Sequence, residues 1–260
     1  MRLLILKVVV LSLLFLPRPL FAGGATGVIV ARITAFDSIR SQLTGLSIQR
    51  FAGRDYVSGM FRGENVVLTY SPMGKVNNAI TTQILLSRFE IDQVISIAPA
   101  GGVSGKVGIG SIILADQVFQ HDFGTIKPYG FIWGKAPDGK GWQEPGYNAH
   151  LLASEGALAK LEAGREGRVF KGAVVSGDQL IASREKRSWL QEKFKALAVD
   201  MSAAAIVQTC FANGIPCQII RVITDHADES ARSDFEASLL PGSQEPDYRI
   251  LFQALISTES

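Results

Sequence analysis

Four short turns hold the side chains best suited to chemistry. They are Ser71-Pro72-Met73-Gly74-Lys75-Val76, Ala98-Pro99-Ala100-Gly101-Gly102, Ser176-Gly177-Asp178 and Thr224-Asp225-His226-Ala227-Asp228. Each closes an apolar run that reads as a strand, and open α/β sheets bind ligands at the carboxyl ends of their strands. Gly74 permits close backbone approach ahead of a helix. The small-residue turn at 98–102 leaves backbone N–H groups open to an anion or a hydroxyl. None of the four is a P-loop or a dinucleotide fingerprint, because Gly-Lys-Ser/Thr and Gly-x-Gly-x-x-Gly are missing. Asp225 follows apolar or small residues in a buried strand, and desolvation of that kind raises a carboxyl pKa. The competing role for Asp225 is to cap the helix that follows it. His121, His150 and His226 are scattered without ligand spacing to carboxylates or cysteines, so no metal is implied. His121, beside Asp122, reads as structural.

The elements that must position these turns alternate. Residues 27–31 read as a short buried strand, followed by a helix with Phe36, Ile39 and Leu43 on one face. Strands are expected over 56–61 and 65–70, joined at Arg62-Gly63-Glu64, with a helix over 77–89. Residues 94–98 are too apolar to be solvated on either face, which places them inside a mixed or parallel sheet. Residues 111–119 and 168–176 repeat that character. A helix over 202–213, closed by Gly214, precedes a last buried strand over 217–224. The class is α/β: a single domain with a mixed central sheet flanked on both faces by helices. The Gly- and Pro-rich stretch 120–149, with Trp133 and Trp142, is too aromatic for a tether. It reads as an ordered excursion that packs on a neighbour or covers a site.

Composition narrows the function classes. The chain has 260 residues, 47% hydrophobic and 19% charged, enough for one large core and too ordered for a disordered chain. Lys and Arg total 26 against 24 acidic residues, without a basic cluster, which argues against a nucleic-acid partner. Two cysteines exclude a disulfide-rich scaffold. Cys210 and Cys217, seven residues apart, have two readings, a pair or two buried thiols. Residues 1–22 combine Arg2 and Lys7, an apolar run over 8–16 and a break at Pro17-Arg18-Pro19 before Ala22, the pattern of a secretory signal. The expectation is an exported protein, periplasmic or extracellular, with one domain over 23–260 and no membrane contact after cleavage. Losing Arg2, Lys7 and Arg18 takes the formal charge from +2 to −1.

In this order and spacing the turns resemble the nucleoside phosphorylase superfamily, and most closely the methylthioadenosine/S-adenosylhomocysteine nucleosidases. The resemblance runs over about 27–240. It is carried by Gly74-Lys75-Val76-Asn77, Ala100-Gly101-Gly102, Val107-Gly108 with Asp116, His121-Asp122 and Val175-Ser176-Gly177-Asp178. Asp200-Met201 with its alanine-rich helix and the segment Arg221-Val222-Ile223-Thr224-Asp225-His226-Ala227-Asp228 complete it. It implies a homodimer, a small-molecule nucleoside or purine base as ligand, and no cofactor beyond phosphate as a possible co-substrate.

It also implies site roles. Asp225 would donate a proton or hydrogen bond to N7 of a departing purine, which is general-acid catalysis. Met73, Ala100 and Gly101 would belong to the substrate-binding turns. Leu180 and Ile181 take the place of the base-stacking aromatic and its neighbour, so the aromatic face is lost. Met201 would lie under the ribose, Phe235 would close over the base, and Tyr129 would reach the 5′ substituent across the dimer. Two departures stand out. Ser202 occupies the position of a glutamate that grips both ribose hydroxyls, which a serine cannot do. Residues 31–36 hold no carboxylate where nucleosidases carry one to orient water. Arg32 there reads as a surface residue, or as one facing an anion such as phosphate. Two functions follow: an enzyme splitting a purine N-glycosidic bond, and a nucleoside- or base-binding protein that kept the pocket with reduced or lost turnover.

Overall fold

The computed structural model of the chain describes residues 23–134, 147–165, 167–243 and 246–256. The signal expected over 1–22 lies outside the described residues, as does Trp142. The described chain opens with β1 (Ala25–Val30), α1 (Ile33–Arg40), β2 (Thr44–Phe51), β3 (Arg54–Phe61) and β4 (Glu64–Tyr70). It continues through α2 (Lys75–Arg88), β5 (Ile91–Gly102), β6 (Ile112–Gln120) and the hairpin β7 (Gly124–Lys127)–β8 (Gly130–Trp133). Then come α3 (Glu155–Glu162), β9 (Val169–Ser176), α4 (Arg184–Phe194), β10 (Ala198–Asp200), α5 (Ala203–Ala212), β11 (Cys217–Asp225), α6 (Ala231–Ser238) and α7 (Tyr248–Leu255).

Nine strands form one mixed sheet in the order β10-β9-β6-β11-β5-β1-β4-β3-β2. β1, β4, β5 and β11 run parallel, whereas β6 meets β11 antiparallel. β10 pairs with β9 on one side and with β5 on the other, so five strands close into a ring. Both faces are covered, and the alternation along β1 shows how. Val28 and Val30 enter the core shared with Phe36 and Ile39 of α1 and Phe252 of α7. Ile29 points the other way, into the core shared with Leu85 of α2 and Val207 of α5. This is the mixed α/β architecture that the apolar runs imply.

The structure adds four strands, β2, β10 and the β7–β8 hairpin, together with the helices α3, α4, α6 and α7. β2 is the sheet's far edge, pairs antiparallel with β3 and is exposed along most of its length. Its polar alternation and the absence of burial hide it from a search for apolar runs. The stretch after Gln120 is ordered as a hairpin, in which the Trp133 indole donates to the Gln120 carbonyl at 2.6 Å and packs edge-on against Phe194 of α4 at 5.0 Å. It packs on a neighbour, as expected; its residues 135–146 lie outside the described ones. Cys210 and Cys217 are buried free thiols, and their mutual hydrogen bond together with burial pushes the Cys210 thiol far up.

Candidate active site

A cavity of about 650 Å³ opens where the carboxyl ends of β5, β10 and β11 meet the turns after β1, β4, β9 and β10, with α6 as a further wall. Residues 98–102, expected as a turn with open N–H groups, are instead the end of β5, paired with β11 and β10. Met73, Ala100, Gly101, Leu180, Ile181, Met201, Ser202, Phe235 and Asp225 all line it. Met73 and Leu180 are half-exposed at its mouth, while Ile181 and Ala100 are buried in its wall. Tyr129 does not line this chain's cavity: it lies in the β7–β8 turn and is 79% exposed.

The entry to α2 shows how the sequence builds one side. Gly74 caps the helix at φ 105°, a left-handed conformation that favours glycine. With no side chain there to serve the first amide, the Lys75 N–H donates instead to the Asp178 carboxylate at 2.7 Å. The Lys75 ammonium reaches the Asp122 carboxylate at 2.7 Å and the Gln120 amide oxygen at 2.9 Å. Asp122 in turn accepts from the Asp178 N–H at 3.0 Å. These contacts tie Asp122 and the Ser176-Gly177-Asp178 turn to the Gly74 turn.

Asp225 ends β11 only 4% exposed. Its Oδ1 accepts from the Ala227 N–H at 2.9 Å, and its Oδ2 meets the Thr224 hydroxyl at 3.1 Å. It does not cap α6, whose cap position is taken by Ser230. Burial pushes the Asp225 carboxyl above the ordinary carboxylate range, against the opposing hydrogen bonds from Ala227 and Thr224. Gly101 stands directly opposite. A Cβ on Gly101 would lie 2.6 Å from Asp225 Oδ1 and 3.3 Å from Val199 Cγ1, so glycine is what leaves room for the acid.

Beneath the β10–α5 turn lies a buried ionic network. Arg221, fully buried in β11, donates from Nε to Asp200 Oδ2 at 2.6 Å and from Nη2 to the Ser202 hydroxyl at 3.0 Å. Ser202 donates to Asp200 Oδ2 at 2.9 Å, and Ser176 donates to Asp200 Oδ1 at 2.5 Å. The Ala203 and Ala204 N–H groups, the first of α5, are taken by Asp200 and Ser176 at 2.9 Å each. Burial alone would raise the Asp200 carboxyl, but Arg221, Ser176 and Ser202 outweigh it and hold the group below its ordinary range. Asp200 and Arg221 stood within quoted motifs, yet their pairing spans strands and is not local. The signal available was an arginine inside the apolar strand Ile219-Ile220-Arg221-Val222-Ile223, since a buried charge requires a partner.

The N-terminal turn faces the cavity through Ala31, Arg32, Ile33 and Thr34, so the missing carboxylate is missing at the site itself. Arg32 is not a surface residue. It is 6% exposed, donates to the Ser238 hydroxyl at 2.6 Å and lies 5.0 Å over the Phe235 ring. The sequence gives a lone arginine no reason to be buried; α6 supplies one. Among the described residues no His, Cys, Asp and Glu group has metal-ligand clustering.

His121 is fully buried, and neither ring nitrogen has a hydrogen-bond partner among the described residues. Burial pushes its pKa down to about 4, helped by Lys186 and Lys75 and opposed by Asp122. A depressed imidazole pKa means that the unfolded chain takes up the proton first. The neutral ring's contribution is therefore complete above about pH 6.5 and is lost as pH falls towards 4. The expected loss across that window is about 3 kcal/mol. Urea denaturation at both ends should show it, and His121→Leu should remove that part of the acid sensitivity.

The family model described as the phosphorylase superfamily matches residues 26–244. A 5′-methylthioadenosine/S-adenosylhomocysteine nucleosidase from Marinomonas sp. is 33% identical over 202 residues, covering 77% of this chain and 85% of the relative. An aminodeoxyfutalosine nucleosidase from Helicobacter pylori is 32% identical over 196 residues, covering 74% and 80% respectively. The crystal structure of the Neisseria meningitidis 5′-methylthioadenosine/S-adenosylhomocysteine nucleosidase with methylthio-immucillin-A superposes with a TM-score of 0.74 at 26% identity. It covers 89% of this chain and 98% of that one.

Proposed function

The chain belongs to the phosphorylase superfamily, and from that premise we propose that it cleaves the N-glycosidic bond of purine nucleosides, with Asp225 as the acid. The observation that carries this reading is a buried carboxyl, raised by desolvation, on the wall of a nucleoside-sized cavity. When the bond between the base nitrogen and the sugar carbon breaks, its electron pair stays with the base. The proton of Asp225 passes to N7 and cancels that charge, while the sugar carbon becomes oxocarbenium-like and is captured from its other face. A raised pKa keeps the proton on the acid until it is needed. Water is one nucleophile. Phosphate is the other, supported by Arg32 in the cavity wall where the relatives' kind of carboxylate is missing. A homodimer that brings Tyr129 to a partner's site is consistent with that residue's exposure at the hairpin tip, and export with the pattern of residues 1–22.

A second reading, binding without turnover, is favoured by Ser202 and by the carboxylate-free turn at 31–34. One assay separates the two. Purified protein is incubated with a panel of purine nucleosides, with and without phosphate, and free base is measured. Release supports the enzyme, and dependence on phosphate identifies the nucleophile. Thermal stabilisation by nucleoside without any release supports the binding protein. Gly101→Ala gives a further check, since its methyl would displace the Asp225 carboxyl. The expected drop in base release is about 10²-fold, the scale of a 1 Å misplacement.

A further inference from the structure

We propose that Arg32 is a positioning residue: its guanidinium holds Phe235, and with it the α6 wall, against the cavity before a ligand arrives. The proposal rests on the reading above only in taking a purine nucleoside as the ligand. It applies whether water or phosphate is the nucleophile.

The need for such a hold comes from α6 itself. Arg232, Phe235, Glu236 and Ser238 of this helix all line the cavity, as does Leu239 just after it. Yet within Ala231–Ser238 only Ala231 and Ser238 are buried. A short helix draws its stability from packing an apolar face, and here that face amounts to one alanine methyl and a serine. Phe235, the one large apolar side chain of α6, belongs to none of the three hydrophobic cores among the described residues. His226 and Ser230 secure the N-terminal half through the Asp234 carboxylate, at 2.8 and 2.7 Å. The C-terminal half meets Arg32.

Arg32 reaches Phe235 at two points. Its guanidinium carbon lies 5.0 Å from the ring centroid. Its Nη2 donates at 2.6 Å to the Ser238 hydroxyl, which donates in turn to the Phe235 carbonyl at 2.6 Å. The ring and the backbone of one residue therefore depend on one cation. That cation has a firm base. Arg32 lies in the turn after β1, a strand paired on both sides, and its carbonyl accepts from the Phe36 N–H of α1 at 3.0 Å. At 6% exposed, Arg32 is largely desolvated, the condition in which a cation over a ring is attracted most strongly.

The effect falls on binding. When a ligand must first order part of its site, the apparent Kd rises by the inverse of the competent fraction. A contact that orders Phe235 in the free protein spares the ligand that cost. The acid, Asp225, stands on β11 and not on α6, so the loss of Arg32 should act on KM far more than on kcat.

The test is a double-mutant cycle on purified protein, made of the wild type, Arg32→Met, Phe235→Leu and the double variant. Kd for adenosine and inosine is read by calorimetry, KM and kcat by base release with and without phosphate, and folding by urea denaturation. Arg32→Met should raise the nucleoside Kd by about tenfold, within what a desolvated cation–π contact supplies, and lower kcat by less than about threefold. In the Phe235→Leu background the same change should cost less than about twofold. Arg32→Lys, which keeps a cation, should recover part of the affinity. Losses that multiply independently overturn the proposal, as does a lower urea midpoint with an unchanged Kd, or an effect confined to the KM for phosphate. If Arg32→Met does not fold, Arg32→Gln closes the same cycle, since it keeps a donor for Ser238 without the charge. If neither folds, Arg32 is structural and the proposal falls. Base release with independent losses keeps the glycosidic reading and removes this one. Coupled losses in Kd without any base release do the reverse, and a protein that neither binds nor cleaves removes both.

Discussion

Asp225→Asn should lower base release by about 10²–10⁴-fold, the range general-acid catalysis supplies. The amide keeps the shape of the carboxyl and can still accept at Oδ1 from the Ala227 N–H, but it has no proton to give to a leaving base. The loss should come without loss of fold. Burial raises the Asp225 pKa, so ionisation is resisted more in the folded chain than in the unfolded one. A carboxyl raised in this way contributes its stability at low pH and loses it as pH rises through the folded value. A neutral amide escapes that loss, so at neutral pH the variant should be at least as stable as the wild type. Base release and a urea denaturation curve, measured on the same preparation, decide the matter. A folded variant with unchanged rate would remove Asp225 from the chemistry. The wild-type kcat/KM should also decline as pH rises through the raised pKa, because the acid form is the working form.

Asp200→Ala should be the costliest single change to the fold, at about 3–5 kcal/mol. The reason is the charge it leaves behind. Arg221 is fully buried, and its salt bridge to Asp200 at 2.6 Å is the only one it makes among the described residues. The same substitution frees the Ser176 and Ser202 hydroxyls and uncovers the Ala203 N–H at the start of α5. Replacing both charges, as in Asp200→Ala with Arg221→Met, should recover part of the loss, since an apolar pair does not carry the desolvation cost of a lone guanidinium. Denaturant midpoints for the two single variants and the double one test this coupling. Additive losses would mean that the two residues act independently.

Much of the frame was legible because burial writes itself into strands as unbroken apolar runs. β1, β5, β9 and β11 all carry such runs, and their carboxyl ends or the turns that follow them converge on one cavity. Residues near one another in sequence were legible too, as with Gly74 ahead of α2. What stayed hidden depends on contacts across the sheet. The edge strand β2 has no buried face to announce it. The burial of Arg32 arises from Ser238 and Phe235, some two hundred positions away. The Asp200–Arg221–Ser202 network assembles from β10, β11 and the start of α5, whose proximity only the ring of strands creates.

That ring has an effect on how molecules of this protein meet. By pairing on two sides, the three residues of β10 cover the edge of β9 over Val174–Ser176, so template-like addition of a foreign strand is closed off there. At the other end of the nine-stranded sheet the β2 margin stays open among the described residues, and it is poorly suited to such growth. Its register slips between Thr44 and Ser47, Gly45 turns the backbone at φ 63°, and Arg50 projects a solvated charge. Irregularity and charge of this kind blunt the stacking that leads to fibrils, which lets Leu46 and Ile48 stay in water without seeding aggregation.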